Sequence, residues 1–465
     1  MDRRTFIASG AIAGAGTSLG AHRALAHGRT SDARPSPDGT RFTRQPRSTA
    51  RIGFIGTGLR GREHLRLIAL REDTKIPAIC DIDDAAIAQS LKILADSGRP
   101  PADVYTGNEY AWEEMIQRDD LDGVIIATPW LWHTRMAVGV MQAGKYAGVE
   151  VSAANTLEEC WDLVNTYETT GMPCMIMENV CYRRDVMAIL QMVREGLFGE
   201  LLHLECGYQH DLREVKFNNG RQPYGGGVEF GEKGYSEAGW RTWHSVHRNG
   251  DIYPTHGIGP VGIYLDINRG NRFTALSSVA TKSRGLHKYI VDQAGPDHPN
   301  ADIRFKLGDI VTSTIQTQHG ETIIVKHDTN NPRPYSLGFR VQGTNGLWMD
   351  VMDRLHIEGR SPKHQWENAA PWLEKHDHPL WRRFQDRATG AGHGGMDFFV
   401  DHAFVESIKA AADTPLDAYD AAAWSAITPL SEMSIAAGGA VQAFPDFTRG
   451  RWMTRRMVFA LDDSY

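Results

Sequence analysis

A chain of 465 residues, 41% hydrophobic and 23% charged, is long enough for two domains and has an ordinary soluble composition. Its formal net charge of −7, with no basic run beyond isolated Arg pairs, argues against nucleic acid or an anionic membrane surface as the main partner. The five cysteines, Cys80, Cys160, Cys174, Cys181 and Cys206, contain no C-x-x-C pair and read as buried structural thiols.

Arg3-Arg4 stands ahead of a weakly apolar, Ala/Gly-rich stretch that ends in Ala24-Leu25-Ala26, a small-residue cleavage pattern. This order reads as a twin-arginine export signal over residues 1–26, passed to the twin-arginine machinery and giving a periplasmic or secreted protein. The stretch is too short and too rich in Gly for a spanning helix. Residues 27–48, rich in Arg, Ser, Pro, Thr and Gly, read as a disordered linker.

From residue 49 to 178 short apolar runs alternate with amphipathic stretches. Strands are expected at Ile52–Ile55, Ile76–Cys80, Gly123–Ala127, Tyr146–Val149 and Pro173–Met177. Helices are expected at His64–Leu70, Asp84–Ala95, Thr134–Ala143 and Leu157–Thr166. The alternation implies a doubly wound parallel sheet with helices on both faces, a Rossmann-type α/β domain. Residues 179–465 have another texture. A helix at Val186–Glu195 leads into longer alternating strands at Leu201–Tyr208, Thr274–Thr281, Ile310–His319, Glu321–Asp328 and Tyr335–Gln342. These read as a second α/β domain with a large open, mainly antiparallel sheet. Gly220–Gly239 reads as a loop. Helices at Asp397–Ala412 and Asp417–Ala437 are expected to pack back on the sheet.

The strongest motif is Gly56-Thr57-Gly58-Leu59-Arg60-Gly61, after a strand and opening a helix. Glycines there permit a tight turn and close approach of backbone to a pyrophosphate, and the helix start supplies free N–H groups. Asp81 ends the next strand, 20 residues after Gly61. A carboxylate at that place accepts from a ribose 2′-hydroxyl and repels a 2′-phosphate, which favours NAD over NADP. Thr128-Pro129-Trp130-Leu131-Trp132-His133 and Glu150-Val151 follow later strands, where such a sheet places further cofactor contacts.

These residues resemble the Gfo/Idh/MocA-type oxidoreductases, in which Glu-Lys-Pro follows the corresponding strand and the Lys is catalytic. Here Glu150-Val151-Ser152 stands instead. Longer runs resemble glycoside hydrolase family 109, the NAD-dependent α-N-acetylgalactosaminidases: Gly148–Asn155, Glu178–Asp185, Gly207–Asp211, Tyr253-Pro254-Thr255-His256-Gly257, Arg333–Ser336, Gly392–Asp397 and Phe444–Phe447. The resemblance spans residues 50 to 452. It implies cofactor contacts at Leu59, Arg60, Asp81, Trp130, His133, Glu150, Val151 and Asn179. It implies substrate contacts at Tyr208, Arg241, Tyr253, Pro254, Thr255, His256 and Tyr335, with Glu178, Tyr208, Tyr253 and His256 nearest the chemistry.

The resemblance implies a glycosidase without net redox: a sugar is oxidised at carbon 3, loses its glycosidic oxygen by elimination, takes up water and is reduced again. Tyr208 and His256 fit proton transfer, with the assignment between them open. Without the resemblance each has an ordinary reading, a strand aromatic for Tyr208 and a structural histidine for His256. The alternatives are an NAD-dependent sugar dehydrogenase of the same superfamily, which the missing Lys at 151 opposes, and a non-catalytic sugar-binding protein, which the retained polar motifs oppose. His244, His247 and His256 lie in a Gly/polar stretch without a nearby Cys or H-E-x-x-H pattern, so no metal is expected. A homo-oligomer stays open.

Overall fold

The computed structural model describes residues 42–465. The expected export signal and the expected linker up to residue 41 lie outside the described residues. The last part of the expected linker is not loose: Phe42 donates its N–H to Thr170 O (2.9 Å), and Arg44 and Arg47 pair with Asp413 and Asp122. An aromatic anchor and two ion pairs override a composition that reads as disorder.

The first sheet is parallel, in the order 103–105, 78–80, 50–55, 123–126, 146–149, 174–176, with Thr74–Lys75 also pairing with the 50–55 strand. Phe54 lies opposite Ile79 on one neighbour and Ile125 on the other. Ile52, Phe54, Val124, Ile125 and Ile126 are fully buried, as continuous apolar strands between two helical layers should be. Asp103–Tyr105 was not anticipated: half-exposed and three residues long, it has no apolar run to announce it.

The second sheet has nine strands among the described residues, in the order 367–368, 354–357, 346–349, 340–343, 201–209, 322–328, 310–317, 273–280, 442–443. All its pairings are antiparallel except the central one, where 322–328 runs parallel to 201–209. The expected strand Tyr335–Gln342 is shorter, Arg340–Gly343. Gly338, at φ +62°, turns the chain there, and only Ser336 bridges to Gln209. The expected helix Asp417–Ala437 is two helices, Ala418–Ser425 and Ile427–Ala436. Pro429 has no N–H for the bond that would carry the first into the second.

The late helices do not all return to the open sheet. Met396–Ala410 packs on the parallel sheet instead: a Cβ at Gly123 would meet Ile408 Cδ1 at 2.7 Å, and one at Gly148 would meet Phe404 at 3.2 Å. The small residues of two central strands thus let a helix from the far end of the chain cover the first domain. Ile427–Ala436 lies against Phe273–Ala280 of the open sheet, where Ser434 Oγ accepts from the Ser278 N–H at 2.8 Å. All five cysteines are free and buried.

Candidate active site

A cavity of about 780 Å³ runs from the carboxyl ends of the parallel strands to the end of the central strand 201–209 of the second sheet. Gly56, Gly58, Leu59, Arg60 and Asp81 line one end; Tyr208, Arg241, Tyr253, His256 and Tyr335 line the other. Trp130, His133, Glu150, Val151 and Asn179 lie along the wall.

The glycine turn fits a dinucleotide. Gly56 has φ +81°, and a Cβ there would lie 2.7 Å from the Ala127 backbone. A Cβ on Gly61 would lie 2.0 Å from Gly56 O, so this glycine is needed beneath the turn and does not reach the cavity. A Cβ on Gly58 would meet nothing within 4 Å: the turn is open on the side a pyrophosphate would approach. The helix Leu59–Ala69 starts there without a side-chain cap, which leaves its first N–H groups free for phosphate oxygens. Asp81 accepts from the Thr57 N–H at 2.5 Å and the Asp83 N–H at 2.9 Å, which fixes its carboxylate beside the turn.

Beneath this end lies a charged network that sequence reasoning missed. Arg60 Nε donates to Glu150 Oε1 at 2.6 Å, and its Nη1 reaches Glu63 at 3.0 Å and Asp397 at 2.9 Å. The buried His64 ring spans Glu150 Oε1 (2.8 Å) and Asp401 Oδ1 (2.7 Å). Burial alone would pull the His64 pKa down, but the Asp401 carboxylate and both hydrogen bonds push it up to about 9. Burial would raise the Glu150 carboxyl, yet Arg60 and His64 hold it well below the usual range. Asp397 also accepts from Asn179 Nδ2 (2.7 Å) and meets His393 Nδ1 (2.7 Å). The available signal was His64 itself, a polar residue one helical turn after Arg60 on the face turned to the core. Glu63, His393 and Asp397 group their ligand atoms within 4.8 Å, but the Arg60 guanidinium already contacts Glu63 and Asp397.

His133 joins the two loops that follow the central strands: its Nδ1 lies 2.8 Å from Ser152 O and its Nε2 2.7 Å from Thr128 O. Val151, where the dehydrogenase pattern has Lys, is 3% exposed and lends the wall only an apolar side chain.

At the other end an aromatic cage surrounds one cation. Arg241 lies over the Trp130 ring (4.9 Å) and the Tyr253 ring (5.1 Å) and pairs with Glu237. Tyr208 packs on Tyr253 (4.7 Å) and His256 (5.3 Å), and its hydroxyl is 3.2 Å from His210 Nδ1. Burial pushes the Tyr208 phenol well above its ordinary range against the pull of Arg241, so it stays protonated at neutral pH. His256 Nδ1 lies 2.7 Å from Glu178 Oε1, and its Nε2 has no partner among the described residues. Glu178 is fully buried and stands behind the wall, so it is a positioning residue, not one that touches the reacting atoms. Pro254 and Thr255 also lie behind the wall: they open the helix Thr255–Tyr264 that presents His256, and the expectation that they touch substrate is corrected. The other histidines are engaged separately. His247 donates to Trp243 O at 2.9 Å, and His244 packs on Trp130 at 4.8 Å.

Among the described residues no free carboxylate pair lines the end formed by Tyr208, Arg241 and His256. Glu237 is paired with Arg241, and Glu150 with Arg60 and His64.

Two family models cover the described chain. One, "Oxidoreductase family, NAD-binding Rossmann fold", matches residues 50–178; the other, "Glycosyl hydrolase 109, C-terminal domain", matches residues 182–454. A "Glycosyl hydrolase family 109 protein" of Stenotrophomonas maltophilia (strain K279a) is 52% identical, covering 100% of this chain and 99% of its own. An "Alpha-N-acetylgalactosaminidase" of Tannerella forsythia is 58% identical over 88% of this chain and 89% of its own. Among solved structures, levoglucosan dehydrogenase in complex with NADH and levoglucosan matches with TM-score 0.59 at 19% identity, covering 86% of this chain and 100% of that one. The myo-inositol dehydrogenase of Lactobacillus casei in complex with NAD(H) and myo-inositol matches with TM-score 0.55 at 16% identity, over 86% and 97%. These two show the fold.

Proposed function

The chain belongs to glycoside hydrolase family 109, and we propose that it releases terminal α-linked N-acetylgalactosamine with no net redox. It is an NAD-dependent glycosidase. The observation that carries the mechanism is His256, held by buried Glu178 and facing a cavity that also contains a dinucleotide turn.

Gly56, Gly58, the start of the helix Leu59–Ala69 and Asp81 would hold NAD, which supplies a reversible hydride acceptor for sugar carbon 3. Loss of hydride from carbon 3, with the hydroxyl proton passed through the Tyr253 hydroxyl to solvent, leaves a ketone that acidifies the hydrogen on carbon 2. The wall must then supply a base, an acid for the departing glycosidic oxygen and positive charge for the enolate. His256 is the base: Glu178 accepts from Nδ1–H, which leaves the Nε2 lone pair towards the cavity and stabilises the imidazolium that forms. Tyr208, kept protonated by burial, is the acid. Arg241, fixed between Trp130 and Tyr253, faces the developing enolate as a permanent cation. Water adds at carbon 1 and gives a proton to the Tyr208 phenolate, His256 returns a proton to carbon 2, hydride and proton return to carbon 3, and the sugar leaves at its starting oxidation level. The paired state of Glu237 and Glu150 disfavours direct displacement by two carboxylates. The apolar Val151 disfavours a plain dehydrogenase, which would need a proton-transfer group there.

Turnover in heavy water is the test. Deuterium should appear at carbon 2 of the released N-acetylgalactosamine, and deuterium placed beforehand at carbon 3 should stay with the sugar. Active enzyme that leaves carbon 2 unlabelled, with a base whose proton exchanges with solvent during turnover, would reject elimination.

The reading includes location. Arg3-Arg4 marks the protein for the twin-arginine route, which carries folded cargo, so NAD is inserted before export. Replacing both Arg by Lys should hold the NAD-loaded protein in the cytoplasm; an unchanged periplasmic yield would reject this.

A further inference from the structure

Beyond the residues that surround the terminal sugar, the cavity has a rim that neither mechanism nor cofactor uses. It is made by Tyr224 and Tyr235 on the long loop that precedes Arg241. Tyr224 is 51% exposed and Tyr235 37%. Neither phenol hydroxyl has a partner among the described residues. Exposed rings on a loop are ordinarily mobile and carry no argument, but this loop is built. Fully buried Asn218 spends its side chain on it: Oδ1 accepts from the Gly220 N–H (2.9 Å) and the Tyr235 N–H (3.1 Å), and Nδ2 donates to Tyr235 O (2.7 Å) and Pro223 O (3.3 Å). One amide thus fixes the backbone beside both tyrosines. Gly225 follows Tyr224 at φ +58° and donates its N–H to Glu214 O at 2.8 Å, which turns the chain back. Phe217 and Val228 anchor the loop in a small core of its own.

The rim is continuous with the site. Tyr235 precedes the turn Ser236–Gly239, whose Glu237 pairs with Arg241 in the aromatic cage. Glu237, Tyr235 and Tyr224 thus line the same cavity as Arg241. Two water-exposed phenol rings with free hydroxyls, on a backbone fixed by Asn218, match a pyranose: its apolar C–H face for the rings, and its hydroxyls for the phenols.

We propose that Tyr224 and Tyr235 form a subsite for the sugar on the leaving side of the scissile bond, so that the enzyme prefers glycan aglycones over small alkyl ones. This rests on the glycosidase reading above. The subsite adds binding in the transition state through a part of the substrate that does not react, and so appears in kcat/KM for the longer substrate alone.

The test compares methyl α-N-acetylgalactosaminide with a disaccharide in which the same terminal sugar is α-linked to galactose, using NAD-loaded wild type, Tyr224→Ala, Tyr235→Ala and Tyr224→Phe. Each Ala variant should lower kcat/KM for the disaccharide about tenfold and leave the methyl glycoside as in wild type. Tyr224→Phe keeps the ring and should keep most of the preference. An equal fall on both substrates would make the loop a structural roof and overturn the subsite, as would no fall on either. Wild type inactive on both would reject the glycosidase reading. The subsite is then read separately by NMR line broadening of the two sugars: tighter disaccharide binding that Tyr224→Ala abolishes supports it, and equal binding overturns it.

Discussion

At the cofactor end of the cavity one continuous stretch, Gly56 to Asp81, supplies the turn, the helix start and the carboxylate beside them. At the sugar end Tyr208 comes from a strand, Arg241 and His256 from the first turns of two helices, Tyr253 from the segment between those helices, and Tyr335 from a broken strand. The first end is local geometry and the second is assembly. A strand–turn–helix can be recognised from its own spacing because neighbouring residues satisfy it. The aromatic cage exists only after the second sheet has folded against the first domain.

The largest expected effect separates the two ends. His256→Ala should lower turnover by about 10²–10⁴-fold, the range for a lost general base, and leave NAD bound, as measured by cofactor released on denaturation. Glu178→Gln should lower kcat by less, with the KM for sugar unchanged, because Glu178 acts only through His256. Loss of cofactor from the His256 variant would break the separation. At the other end Gly61→Ala places a Cβ 2.0 Å from Gly56 O and should cost about 1–3 kcal/mol of stability together with bound NAD. Turnover restored by added NAD would show the sugar end intact.

This difference also decided what could be read beforehand. The parallel strands other than Thr74–Lys75 and Asp103–Tyr105 were legible because they are buried on both faces and therefore apolar. The glycine turn was legible because its neighbours on both sides had the right period. Tyr208, Arg241, Tyr253, His256 and Tyr335 came only from resemblance, since a lone Tyr or His has no local signature. His64 and Asp401 escaped both routes: they meet because Met396–Ala410 packs on the parallel sheet, a long-range contact that no window of sequence contains. Tyr335 was placed in a regular strand because its neighbours alternate; the positive φ of Gly338 overrides that pattern.

A smaller effect sharpens the cofactor end. Asp81→Ala should weaken NAD binding about tenfold and narrow the gap to NADP, since a charge-assisted hydrogen bond and a repulsion both go. Asp81 also holds the Thr57 N–H, so Asp81→Asn, which keeps the shape, should lose discrimination with less loss of affinity. Protein purified with NADP would show that this carboxylate does not select.

The smallest effect contrasts buried cations behind the two ends. His64 lies under the cofactor turn, its pKa raised to about 9. Lys216 lies behind Arg241, donating to Thr329 Oγ1 and Asn330 Oδ1; burial and then the charge of Arg241 lower it to about 7. The signs oppose. Between its unfolded value of about 6.5 and 9, folded His64 keeps a proton that the unfolded chain has lost, so its stabilisation is complete below 6.5 and disappears as pH rises through 9. Between 7 and its unfolded value of about 10.4, Lys216 has lost a proton that the unfolded chain keeps, so stability rises with pH. From pH 7 to 9 the two slopes cancel, each at most about 1.4 kcal/mol per pH unit. Denaturant melts across that range should therefore be nearly flat for these groups in wild type. His64→Gln should leave a rising line and Lys216→Met a falling one. Because Gln cannot replace an imidazolium between two carboxylates, the His64 variant also starts lower at pH 7. A His64→Gln line parallel to wild type would mean that the proton on this network sits with a carboxyl group instead, and that the two ends do not differ in this respect.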